Sequence, residues 1–241
     1  MSADHRTAVV ISGAGRYADP WHDFEGTSAA LAEMLSERGL DARVLRTGEV
    51  EAGQLGEPDL IVVNAGGGST PVAQSQDAED VRARDLRDAV LAALAAGVPV
   101  LATHTGSNTF YEHDQWAQVL GGRWVPKPEV EAGRAERASW HPPRGPAQVR
   151  LTDRLHPITA GLTGEVEIDD ERYTDLEVSP DSTVLLEHEE DGRTHALVWA
   201  AEAVPGLRGR AVYDALGHDG DAVRARVRTL LLDRELAWLL S

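Results

Sequence analysis

The chain has 241 residues with 40 acidic against 23 basic side chains, a formal net charge of −17 that repels nucleic acid and anionic membrane surfaces at long range. Hydrophobic residues at 42% and charged residues at 26% sit near globular averages, which excludes a disordered chain and suits a single α/β domain over residues 1–241. There is no cysteine, so disulfides, thiolate metal sites and thiolate nucleophiles are all excluded.

Residues 7–12 read as a short buried strand that ends in Gly13-Ala14-Gly15, the kind of turn where open α/β sheets bind ligands. Asp19-Pro20 matches an N-cap followed by proline at the first helical position. Phe24, Leu31, Met34 and Leu35 give that helix an apolar stripe, and Gly39 closes it. Strands follow at 42–45 and 59–63, the second running into a glycine loop, Gly66-Gly67-Gly68. A helix over 77–96 carries Val81, Leu86, Val90 and Leu94 on one face and ends at Gly97. The next strand breaks at His104 into Thr105-Gly106-Ser107-Asn108, a strand–turn–helix elbow of the type that lifts one side chain above a sheet. Strands alternating with helices over the first 120 residues predict right-handed βαβ units and a mostly parallel sheet.

From 121 to 146 the texture changes. Pro126, Pro128, Pro142, Pro143 and Pro146 with Trp124 and Trp140 mark an irregular segment, expected to be a lid or binding loop. Short strands then fall at 149–151, 166–168, 183–187, 196–199 and 210–214, before a closing helix over 223–240.

His104 occupies a nucleophile's place as a general base, a metal ligand or a structural hydrogen-bonder, and spacing does not separate these. Gly67 and Gly68 follow the neighbouring strand, so their backbone N–H groups suit a ligand oxygen; the plainer alternative is a tight turn. His218, beside Asp219 and after the last strand, reads as an acid–base group or half of an N-cap pair. His22 reaches the same rim. Asp170 is taken as an assisting acid–base or orienting group, with Glu171 and Tyr173 as substrate contacts, because such acids suit sugar hydroxyls or a cation. Among the tryptophans, Trp21 and Trp140 are expected at a pocket, whereas Trp116, Trp199 and Trp238 lie in core patterns. His156-Pro157 shapes a turn, and His5, His113, His188 and His195 read as packing or surface residues. Histidines with carboxylates suit zinc or another divalent ion, yet no His-x-x-x-His pair singles out a metal site.

These residues together resemble the ThuA-like, or trehalose-utilisation, family of the class I glutamine amidotransferase-like superfamily. The resemblance rests on the glycine loop from Asn64 to Ser69, the elbow Thr103-His104-Thr105-Gly106-Ser107 and the run Trp140-His141-Pro142-Pro143. It extends to His156-Pro157-Ile158-Thr159-Ala160-Gly161-Leu162, Asp169-Asp170-Glu171 with Tyr173, Val198-Trp199, and Gly209-Arg210 through Gly217-His218-Asp219. It implies a three-layer flavodoxin-like α/β fold with helices on both faces of the sheet. In the amidotransferase relatives a cysteine stands at the elbow; here that residue is His104, so thioester hydrolysis of glutamine is excluded by residue identity. The likeness implies a role in disaccharide or keto-sugar catabolism, by acid–base or metal-assisted chemistry centred on His104, as a hydrolase, hydratase or isomerase. A non-catalytic sugar-binding or regulatory protein on the same fold is the alternative. The expected partner is a small-molecule sugar, with homo-oligomer formation left open. No run approaches the ~18 apolar residues of a membrane span and the first residues carry no apolar signal region, so a cytoplasmic location is expected.

Overall fold

A run of small and β-branched apolar residues that is buried on both faces can only be a central strand, and four segments of this chain are built so. They are β1 (Thr7–Ser12), β3 (Leu60–Asn64), β4 (Val100–Thr103) and β11 (Ala211–Asp214), each almost wholly buried. The structure, a computed structural model, describes residues 6–67, 77–111, 113–162, 164–202 and 209–241. Gly68 and His5 lie outside the described residues.

In chain order the remaining elements are α1 (Phe24–Glu37), β2 (Asp41–Arg46), α2 (Ala78–Ala96), α3 (Asp114–Leu120), β5 (Gly122–Arg123), α4 (Lys127–Glu131) and β6 (Gly145–Leu151). There follow β7 (Glu165–Asp170), β8 (Glu177–Val178), β9 (Thr183–Glu190), β10 (Arg193–Ala201), α5 (Gly220–Arg224) and α6 (Arg226–Leu239). The nine-stranded sheet runs β2-β1-β3-β4-β11-β10-β9-β6-β7, and β5 pairs with β8 in a separate ribbon. From β2 to β11 every neighbour is parallel; from β11 to β7 every neighbour is antiparallel. The chain leaves β1 for β2 on one side and returns to β3 on the other, so the strand order reverses at β1. Ligands in open α/β sheets bind beyond the carboxyl ends of the strands at such a point.

Two boundaries differ from the sequence pattern. α1 begins at Phe24, capped by Asp23 through Gly26 N–H, because Asp19 folds its carboxylate back onto the N–H groups of Trp21 and His22. The closing helix is two helices, parted at Ala225, whose extended backbone (φ −56°, ψ 144°) interrupts an otherwise continuous apolar pattern. The irregular segment contains β5, α4 and a bridge between Trp140 and Thr174.

Under β11 the core holds charge. Asp214 and Glu235 are fully buried and Arg228 is 1% exposed. Arg228 Nη1 donates to Glu235 Oε2 at 3.0 Å, while its Nε stands 3.1 Å from Asp214 Oδ2 as an ion pair without hydrogen-bond alignment. Asp214 Oδ1 accepts the N–H of Leu216 at 2.9 Å and so ties this cluster to the loop after β11. Loss of water pushes the carboxyls of Asp214 and Glu235 upward against the pull of Arg228, Glu235 to about 8.

Candidate metal centre

The loops after β1, β4, β7 and β11 each deliver one side chain to a common point above the carboxyl edge of the sheet. After β1, Asp19 Oδ1 accepts from the N–H groups of Trp21 and His22 and from Nδ1 of His22 at 2.7 Å, which fixes that ring. After β4 the chain turns at His104, whose φ of 46° is left-handed, a conformation costing a non-glycine residue roughly 1–3 kcal/mol. The turn is held by Tyr213 Oη, which donates to the His104 carbonyl at 2.7 Å, and by His104 Nδ1, which donates to the Ala215 carbonyl at 2.8 Å. After β7, the Asp170 carboxylate accepts the N–H groups of Glu171, Gly217 and His218 at 2.8, 2.6 and 3.2 Å. It thereby joins the loop that carries Glu171 to the loop that carries His218.

The ligand atoms of His22, His104, Glu171 and His218 all lie within 4.8 Å of one another, a group that could hold a metal ion. Nε2 of His104 is 3.1 Å from Nε2 of His22, 3.4 Å from Nδ1 of His218 and 3.4 Å from Oε2 of Glu171, and the last two atoms are 3.3 Å apart. Four ligands at 2.0–2.1 Å around a tetrahedral ion stand about 3.3 Å from each other, which four of the six spacings match, while the set as a whole lies within 4.8 Å.

Proton accounting points the same way. Nδ1 of His104 faces the Ala215 carbonyl and Nδ1 of His22 the Asp19 carboxylate, so the two Nε2 atoms are the nitrogens turned to the centre, 3.1 Å apart. Two ring nitrogens that close are satisfied by a cation between them, a metal ion or a shared proton. An outer-shell acceptor behind each ring, here a carboxylate and a backbone carbonyl, is the usual support of metal-bound imidazole. Glu171 Oε2 is buried without a hydrogen-bond partner among the described residues. Burial acts to raise the Glu171 carboxyl, but the close approach of His104 and His218 to Oε2, with His141 nearby, holds it well below the usual range. Glu171 in turn raises His218 against the lowering effect of burial. The pocket is thus built to favour positive charge at its centre. Asp19→Ala is expected to leave the fold intact and weaken metal binding by roughly 10–100-fold, the usual cost of an outer-shell partner, measured by competition with a chromophoric chelator.

A cleft of about 320 Å³ opens beside the cluster, lined among others by Trp21, His22, Trp124, His141 and Tyr173. Larger depressions of about 540 and 630 Å³ lie around Gln118 and His156, and no such histidine cluster is found in either.

Of the residues singled out in the sequence, His22, His104, Glu171 and His218 come together, with Tyr173 Oη 3.1 Å from His104 Nε2. Glu171 is a candidate ligand rather than a substrate contact only. Asp170 is not an acid–base group at this centre: its carboxylate is occupied by three backbone N–H groups and is 3% exposed. Trp140 does not line the cleft; its indole N–H donates to Asp175 Oδ2 at 3.1 Å. Gly67 is required for packing, since a Cβ there would fall 1.9 Å from the Asn108 carbonyl oxygen, and the N–H of Gly66 is spent on the Tyr17 carbonyl. Asp219 caps α5 through the N–H of Ala222. Trp116, Trp199 and Trp238 are core residues. The sequence reading missed Asp19, Trp124 and His141. His141 carried a signal in the Trp140-His141-Pro142-Pro143 run, and Trp124 in the segment expected to be a lid or binding loop.

The comparisons agree with this fold. The sequence matches the ThuA family, described as trehalose utilisation, over residues 8–239. A ThuA-like protein of Parabacteroides merdae ATCC 43184 superposes with a TM-score of 0.74 at 16% identity, over 99% of this chain and 91% of that one. A second, from Bacteroides uniformis ATCC 8492, gives 0.67 at 16% identity, over 100% and 94%. A glutamine amidotransferase of Thermotoga maritima gives 0.51 at 14% identity, over 98% and 83%. No curated protein matches the chain. Among the described residues no helix is long and apolar enough to cross a membrane. With a family match that spans nearly its whole length, and a mostly parallel sheet shared with the amidotransferase folds, the chain belongs to the ThuA family.

Proposed function

We propose that this ThuA-family protein is a metal-dependent enzyme of sugar or keto-sugar catabolism, with His22, His104, Glu171 and His218 as ligands of one divalent ion. The observation that carries the reading is the convergence of these four ligand atoms, with the Nε2 atoms of His22 and His104 3.1 Å apart and each ring locked by an acceptor on its far nitrogen. Three imidazoles and a carboxylate suit zinc or a neighbouring transition ion rather than calcium or magnesium, which favour all-oxygen sets. Such an ion supplies a Lewis acid for a substrate carbonyl and lowers the pKa of a bound water.

The family description supports a role in trehalose utilisation, and Trp21 and Trp124 give the cleft aromatic walls suited to the apolar face of a sugar ring. A keto-sugar offers the carbonyl oxygen such a centre polarises and an acidified C–H next to it, so isomerisation, hydration or elimination are the reactions that fit. His141 lines the cleft, its Nδ1 turned to the Pro142 carbonyl, and is the candidate to move that proton. The test is to incubate metal-loaded and chelator-stripped protein with disaccharides and their 3-keto forms. The reading expects turnover that is lost with the metal and returns on reconstitution. Turnover indifferent to chelation contradicts it, and binding without turnover favours the non-catalytic sugar-binding alternative.

A further inference from the structure

The phenol of Tyr173 is the group at this centre that the ligand set leaves unused. Tyr173 is 4% exposed, and its ring packs on His104 with centroids 4.6 Å apart and edge-on against Trp124 at 4.8 Å. Its carbonyl is held by Nε2 of the buried His188 at 3.0 Å, so both backbone and ring are fixed in place. Among the described residues its hydroxyl meets one partner, Nε2 of His104, at 3.1 Å.

That nitrogen has a single lone pair, because Nδ1 of the same ring already holds the proton donated to Ala215. His22, His218 and Tyr173 all crowd this lone pair within 3.4 Å, and it can serve one donor at most. An ion at the centre takes it, and the phenol O–H then has no acceptor among its described neighbours. A buried donor without an acceptor costs free energy, so an oxygen supplied from outside is the partner that completes the site. Tyr173 also lines the cleft, which gives such an oxygen a way in. Of the glycine loop, Gly66 N–H is already bonded to the Tyr17 carbonyl.

We infer that Tyr173 is a catalytic residue of this centre, donating its phenolic hydrogen bond to an exogenous oxygen, a water or a sugar carbonyl, that would join the four protein ligands as a fifth. The inference rests on the metal reading above. It assigns to one side chain the stabilisation of developing negative charge that amidotransferase-like sites take from backbone N–H groups.

The experiment uses the full chain loaded with cobalt(II), whose visible bands report the ligand field, and acetohydroxamate as the oxygen donor. Tyr173→Phe keeps the ring and its packing. It is expected to bind one cobalt with an unchanged affinity, and to bind acetohydroxamate about tenfold or more weakly than the wild-type chain. Equal hydroxamate affinity in the two proteins overturns the inference and leaves the metal reading standing. Loss of cobalt from Tyr173→Phe also overturns it, by making the phenol a metal-holding group. A wild-type centre that takes up cobalt but shows no band shift with hydroxamate overturns it too, as a site closed to outside oxygen. A wild-type chain that binds no cobalt removes the metal reading and this inference together.

Discussion

His104→Ala is expected to abolish stoichiometric binding of zinc or cobalt, measured as metal per chain after gel filtration. The loss should exceed the roughly 10–100-fold that removal of an outer-shell partner costs, because His104 Nε2 lies within 3.4 Å of all three other ligand atoms. The substitution also touches the backbone, since position 104 keeps a left-handed φ that alanine adopts less readily than histidine or asparagine. His104→Asn serves as the control for that effect. It should fold as well as the wild type and still fail to hold the ion at full occupancy. Full occupancy in both variants removes His104 from the ligand set.

The second large effect is on stability. Arg228→Ala strips the cation that pairs with Asp214 and Glu235, both at zero exposure, and breaking a buried pair in this way typically costs about 3–5 kcal/mol. Denaturant unfolding should show the midpoint falling with little change in slope. The same pocket sets a pH dependence. Burial raises the Glu235 carboxyl from 4.5 to about 8, so the unfolded chain releases this proton first. The stability Glu235 contributes is therefore complete below pH 4.5 and lost as pH rises through about 8. Glu235→Gln, a neutral isostere, should remove that part of the decline and be more stable than the wild type at pH 8. The damage from Arg228→Ala should reach the metal centre as well, because Asp214 steers Leu216 N–H and Ala215 supplies the acceptor for His104.

How far the sequence alone reached follows from what each signal encodes. The strands with continuous apolar runs and the helices closed by Gly39 and Gly97 were legible because burial and capping are written locally. The elbow was legible too, as a strand that stops at a polar turn. The break at Ala225 was not, since the apolar pattern runs through it and the interruption is one of backbone conformation. Asp19-Pro20 was misleading for a physical reason. An aspartate ahead of an N–H-rich turn looks the same whether it caps a helix or orients a histidine, and here Asp23 caps while Asp19 holds His22.

The adjacent acids Asp170 and Glu171 show the limit most plainly. Sequence places both at the end of one strand, but only the pairing of β7 with β6 and the approach of the loop at Gly217 decide that Asp170 turns to backbone N–H groups. Glu171 is left to face the histidines. Trp124 and His141 belong to the proline-rich segment, whose path no periodicity describes, so their arrival beside Tyr173 could be read only from the fold.

The central claim is that the four ligand atoms enclose one ion, and X-ray absorption at the zinc edge of the reconstituted chain tests it most directly. The proposed function predicts one zinc per chain with nitrogen and oxygen neighbours at about 2.0–2.1 Å and the outer-shell scattering of three imidazoles, reduced by one ring in His22→Ala and in His218→Ala. An ion with no imidazole signature, or a spectrum unchanged in both variants, would contradict it.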